Sequence, residues 1–128
     1  MKLLVDTHAL LWAVDQPGEL GATARAHLED RGNDLVVSMA TVWELAIKVS
    51  LGKLRLAHPF ESWVTAALQH LSAELLDIRI PHAVAQTTLP WHHRDPFDRL
   101  LIAQSRVEEL PLVSNDRQLD QYGIERVW

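Results

Sequence analysis

Apolar and polar positions alternate along this chain in blocks of two lengths. Short apolar runs at 2–6, 35–38, 74–78, 112–114 and 124–127 have the length and branching expected of strands. Longer blocks at 8–14, 22–30, 41–51, 60–71, 81–87, 96–109 and 116–122 carry apolar residues at helical spacing; in 41–51 these fall at 42, 45, 46 and 49. The breaks are marked by their usual residues. Asp15-Gln16-Pro17-Gly18 separates the first two helical blocks and Gly52 stops the third. Pro59, Pro81 and Pro96 stand where helices begin, and residues 90–94 form a loop rich in His and Trp. Alternating strand and helix units of this length predict a mainly parallel five-stranded sheet with helices on both faces. No repeat, linker or low-complexity stretch interrupts the pattern, so 1–128 reads as a single α/β domain.

The ends of the apolar runs carry the chemistry. The first predicted strand stops on Asp6, and the fourth runs into Ser114-Asn115-Asp116. Asp95-Pro96-Phe97-Asp98 opens the apolar stretch from Leu100 to Ala103. In a parallel sheet the carboxyl ends of strands share one edge with the starts of the following helices, and ligands bind there. Acids far apart in sequence are therefore expected to meet. Crowded carboxylates repel one another and call for a hard cation.

Each acid also has a plain structural reading. Asp6 is a good cap for the helix that follows, with Thr7 as a rival cap. Glu44 completes a capping box with Thr41 if the helix starts there; if Ser38 caps instead, Glu44 lies nearly two turns in and faces elsewhere. Asp95 before Pro96 reads as a cap followed by proline at the first helical position. Asp98 is then the third helical residue, near the positive end of the dipole, and the better site candidate. Asp95 is left as a cap or an additional ligand, and Asp116 as a cap for the last helical block. Chance placement of four acids where four elements converge is the harder reading. Carboxylates in that number, without cysteine or a histidine pair at ligand spacing, suit Mg²⁺ or Mn²⁺ rather than Zn²⁺.

Composition narrows the setting. Apolar residues make up 48%, ample for one core, and no run approaches the roughly 18 residues that a membrane span needs. The N-terminus lacks the pattern of a signal peptide, and the absence of cysteine excludes disulfides and thiolate metal sites. A cytoplasmic protein is the expectation. The net charge of −5 argues against a non-specific nucleic-acid binder, while leaving room for local RNA contacts by a few cations.

Four blocks together form a recognisable pattern. They are Leu3-Leu4-Val5-Asp6-Thr7-His8-Ala9-Leu10-Leu11-Trp12, Val42-Trp43-Glu44-Leu45-Ala46-Ile47-Lys48 with Ser50-Leu51-Gly52-Lys53-Leu54 behind it, Asp95-Pro96-Phe97-Asp98-Arg99-Leu100-Leu101-Ile102-Ala103-Gln104, and Leu112-Val113-Ser114-Asn115-Asp116. In this order, over nearly the whole chain, they closely resemble the PIN-domain family, and within it the VapC-like ribonuclease toxins of toxin–antitoxin modules. The resemblance implies a three-layer α/β/α sandwich and a Mg²⁺- or Mn²⁺-dependent endoribonuclease. The family's acidic tetrad maps to Asp6, Glu44, Asp98 and Asp116. Asp6, Asp98 and Asp116, with Asp95 as a fourth candidate, are the expected metal ligands; Glu44 acts through water or as general base. Thr7, Ser114, Asn115 and Arg99 are expected to support the site or touch substrate. The resemblance further implies a homodimer, an RNA substrate and a cognate antitoxin.

Arg94, Arg99, Lys48 and Lys53 are the candidate RNA contacts, each with the alternative of a solvated helix residue. His92-His93 is expected to touch substrate or core rather than a metal, because vicinal histidines seldom chelate one ion. Trp12 and Trp43 are expected in core or dimer packing, and Trp91 is the best candidate to stack on a base. The helical excursion at 53–72 offers an apolar face to the core, to a second protomer or to an antitoxin. Two other function classes remain open: a PIN-like module that binds without cleaving, disfavoured by the intact tetrad, and a phosphatase-like α/β enzyme, for which Asp6-Thr7-His8 lacks the pattern.

Overall fold

A computed structural model describes residues 1–128. The strands are β1 (Lys2–Val5), β2 (Asp34–Ser38), β3 (Glu74–Leu76), β4 (Leu112–Val113) and β5 (Arg126–Val127). The helices are α1 (Thr7–Asp15), α2 (Ala22–Glu29), α3 (Met39–Ser50), α4 (Phe60–Leu71), α5 (Ile80–Gln86) and α6 (Pro96–Glu108), with tight helical turns at Pro17–Glu19 and Arg117–Tyr122. The strands form one sheet in the order β3-β2-β1-β4-β5. Every neighbouring pair is parallel, from Leu3 opposite Leu35 to Val113 opposite Val127. From β1 the chain builds outward to β3 and then returns to add β4 and β5 on the other side. The order therefore reverses between β1 and β4, the position where open α/β sheets form their binding crevice.

Both faces of the sheet are covered, which is why the central strands read as continuous apolar runs. Successive residues of β1 serve opposite cores. Leu3 and Val5 join Leu35, Val37, Leu45, Trp63 and Ala67 on one face. Leu4 joins Val36, Leu101, Ile102, Leu112 and Tyr122 on the other. The result is the expected α/β/α sandwich. No helix is long and apolar enough to cross a membrane.

Several boundaries differ from the pattern, each for a local reason. Helix α3 begins at Met39 rather than 41, because the Ser38 hydroxyl accepts from the Ala40 amide at 3.0 Å and supplies the cap. Helix α1 begins at Thr7 because Asp6, not Thr7, is the cap. Strand β3 stops at Leu76, and the segment after Asp116 winds as a tight turn rather than an α-helix. The excursion at 53–72 spends its apolar face on the core: Trp63 and Ala67 of α4 are buried, and the Trp63 indole lies 3.3 Å from Asp15. Of the two roles expected of Trp43, core or dimer packing, its 65% exposure removes the core and leaves the dimer surface. Trp12 is half-buried between His8 and Trp128.

Candidate active site

Four elements meet at the carboxyl edge beside the β1–β4 reversal. Asp6 follows β1 and caps α1, accepting from the Ala9 amide at 2.8 Å. It is almost wholly buried. Burial pushes its carboxyl above the usual carboxylate range, the Ser114 hydroxyl and the Ala9 amide oppose this, and the charge of Glu44 adds to the rise. Thr7 is freed from capping. Its hydroxyl donates to Glu44 Oε1 at 2.7 Å and lies 3.3 Å from the Thr41 hydroxyl.

Glu44 resolves the choice between capping box and site. With Ser38 as cap, Glu44 sits deep in α3 and turns toward α1 instead of back to its own helix start. Its second oxygen takes the Lys48 ammonium at 2.7 Å, one turn along. Lys48 is thereby committed to the acid cluster. Arg94 and Lys53 are exposed.

Asp95 is the cap of α6, accepting from the Phe97 and Asp98 amides at 2.8 and 3.2 Å. Asp98, on the first turn, faces the other acids. Burial pushes its carboxyl up to about 7; the Asp95 charge adds to this, His93 opposes it, and Glu44 and Asp6 add smaller repulsions. Asp6, Glu44 and Asp98 are thus within mutual electrostatic reach. Asp116 caps the last tight turn through Oδ1, on the Gln118 amide at 3.0 Å, and its own amide donates to Ser114 Oγ at 3.2 Å. Ser114 is fully buried between Asp6 and Asp116, whereas Asn115 is exposed.

His93, expected to touch substrate or core, instead joins the acids of the site. Its Nε2 lies 3.0 Å from Asp116 Oδ2 and 3.2 Å from Asp98 Oδ2. His93, Asp98 and Asp116 are the three side chains whose ligand atoms gather within 4.8 Å of one another. The available signal was its place two residues before the cap of α6, which sets it beside the first helical turn. His92 instead packs its ring edge-on to Tyr122.

Arg99 corrects the expectation of a substrate contact. Its side chain is buried, and its guanidinium donates to the carbonyls of Pro90, Leu89 and His93 at 2.8, 3.2 and 3.3 Å. The ring of Trp91 covers it at 3.7 Å. Arg99 therefore holds together the loop that presents His93. Tyr122 completes the brace, accepting from the His93 amide at 2.8 Å and donating to the Pro90 carbonyl at 2.9 Å.

The donor set fits a hard divalent cation. Carboxylates outnumber the cations near them, and the Asp98 carboxyl is pushed up to about 7 by burial first and by the neighbouring carboxylates second. A cavity of about 660 Å³ opens elsewhere, around Ala13, Leu28, Asn33 and Leu71, and none of the tetrad lines it.

A family model described as PIN domain matches residues 3–125. Ribonuclease VapC22 of Mycobacterium tuberculosis is 30% identical over 132 residues, covering 98% of this chain and 98% of its own. Among solved structures, VapBC2 of Rickettsia felis bound to a DNA fragment from its promoter superposes with a TM-score of 0.75 at 16% identity, over the whole of both chains. DNA-bound VapBC of Salmonella typhimurium gives 0.71 at 18% identity, covering 98% of this chain and 96% of that one. At such identities the two structures establish a shared fold.

Proposed function

Because the chain belongs to the PIN-domain family, we propose that it is a divalent-metal-dependent endoribonuclease, the toxin of a toxin–antitoxin pair. The observation that carries this reading is the meeting of Asp6, Glu44, Asp98 and Asp116 at the sheet's reversal point, with the Asp98 carboxyl pushed up to about 7. Asp6, Asp98 and Asp116 hold the cation, Mg²⁺ or Mn²⁺. Bound there, it would stabilise the charge that develops on the phosphate and make water a better nucleophile. Asp95 takes two amides of its own helix on Oδ1, and its charge adds to the site. Glu44 has one oxygen on Thr7 and the other on Lys48, so it orients water rather than the ion. Ser114 and Thr7 fix the carboxylates from behind.

The substrate is RNA, and the partner is an antitoxin of the kind present in the VapBC assemblies. The protein works in the cytoplasm as a homodimer. Cleavage of structured RNA in Mn²⁺, abolished by EDTA and by Asp6→Asn, tests the reading. Release of phosphate from a small phosphoester without RNA cleavage would replace it with a phosphatase. RNA binding without cleavage at any metal concentration would make the chain a binding module.

A further inference from the structure

His93 has its two ring nitrogens in opposite environments. The Asp95 backbone N–H donates to Nδ1 at 3.1 Å. That nitrogen therefore carries the lone pair, and the proton of the neutral ring sits on Nε2. Nε2 faces only acceptors, Oδ2 of Asp116 and Oδ2 of Asp98. The arrangement is the reverse of a metal-ligating histidine, whose second nitrogen donates to a carboxylate or carbonyl. Ligation through Nε2 would demand either a doubly deprotonated ring or loss of the Asp95 amide's acceptor. The ring is not free to drift, because the backbone of His93 is held at both ends, its amide by Tyr122 and its carbonyl by Arg99.

We infer that His93 is a positioning residue and not a metal ligand: its Nε2–H donates to Asp116 Oδ2 and lies 3.2 Å from Asp98 Oδ2, and so fixes the separation of two carboxylates borne by different elements. It meets only Oδ2 of each acid. Asp98 Oδ1 is thereby left to the cation, while Asp116 Oδ1 also accepts from the Gln118 amide. Hydrogen-bonded outer partners of this kind orient ligating carboxylates and raise metal affinity. The inference rests on the metal reading of the tetrad.

The test uses the full chain as wild type, His93→Gln and His93→Ala. Long-range ¹⁵N–¹H spectra of the His93 ring, without metal and with saturating Mg²⁺, should both show the Nε2-protonated form. Mn²⁺ titration by calorimetry should show affinity lowered roughly 10–100-fold in His93→Ala. His93→Gln should recover most of it, since its amide nitrogen reaches the place of Nε2. Loss of the Nε2 proton on adding Mg²⁺ would make His93 a ligand and overturn the inference, on wild type alone and whether or not the Ala variant folds. Unchanged or tighter Mn²⁺ binding by His93→Ala would overturn it while leaving the metal site intact. Absence of Mn²⁺ binding by wild type would overturn the metal reading and this inference together.

Discussion

Two histidines in this molecule are held the same way and do different things. His82, fully buried on α5, accepts the Arg79 amide on Nδ1 at 3.0 Å and presents Nε2 to Glu108 of α6 at 2.9 Å. His93 accepts the Asp95 amide on Nδ1 and presents Nε2 to Asp98 and Asp116. At His82 one donor meets one carboxylate, and the pair is a strut between two helices. At His93 one donor faces two carboxylates, bonding Asp116 and lying 3.2 Å from Asp98, with Asp6, Glu44 and Asp95 close enough to Asp98 to repel it. The local chemistry is alike; the charge count is not. One donor satisfied by one carboxylate stabilises the fold, whereas an excess of carboxylate stores repulsion that a cation relieves.

The largest effect separates the two regions by activity. Asp98→Asn should reduce RNA cleavage to the level of EDTA-treated wild type, while Glu108→Gln should leave cleavage within a few-fold of wild type. Equal loss in both, measured on folded protein, would erase the distinction. Stability should rank them the other way. Glu108→Gln weakens the partner of a buried ring and should cost about 1–3 kcal/mol in a denaturant melt. No loss there would mean that the strut does not bear on the fold.

A pH series sharpens the comparison. Asp98 has its carboxyl raised from 3.8 to about 7 in the fold, so the folded protein binds the proton more tightly than the unfolded chain. Its contribution favours folding at low pH and is lost as pH rises toward and through about 7. In EDTA, the stability of wild type relative to Asp98→Asn should therefore fall between about pH 4 and pH 7. A difference that stays flat, or grows with pH, would contradict the crowding. The smallest effect is expected at Asp95. Asparagine caps almost as well as aspartate, so Asp95→Asn should change stability little, whereas Asp95→Ala should cost about 1 kcal/mol. Either change should reduce cleavage less than Asp98→Asn does; the reverse ranking would make Asp95 the ligand and Asp98 the bystander.

The legible parts of the molecule are those where local pattern and tertiary context agree. Strands β1 and β2 are covered on both faces, so their apolar runs announce them. Asp6, Asp98 and Asp116 stand where such runs end or begin, and the edge they share follows from the parallel order. Glu44 stayed ambiguous because two neighbouring hydroxyls, Ser38 and Thr41, are equally good caps in sequence; only the bond from Ala40 to Ser38 decides between them. Arg99 was misread for a physical reason. An arginine beside an acid on a helix's first turn normally faces water, and here three carbonyls of the preceding loop draw it inward. Carbonyl direction has no residue signature. The same holds for His93, whose role depends on a loop curl that turns the Asp95 amide onto its ring. Trp43 has apolar neighbours on α3, but the buried face of that helix runs through Ala40, Thr41, Glu44 and Leu45 and leaves Trp43 outside it.

A thermal melt of wild type and Asp98→Asn, each in EDTA and in Mn²⁺, tests most directly that the tetrad is a cation site. Wild type should gain melting temperature with Mn²⁺, by linkage to a ligand that binds only the folded state. Asp98→Asn should already melt higher in EDTA, by about 3–8 °C if roughly 1–2 kcal/mol of repulsion is relieved, and should respond less to the metal. A lower melting temperature for the variant in EDTA, with an unchanged response to Mn²⁺, would reduce Asp98 to a stabiliser of its helix dipole and contradict the site.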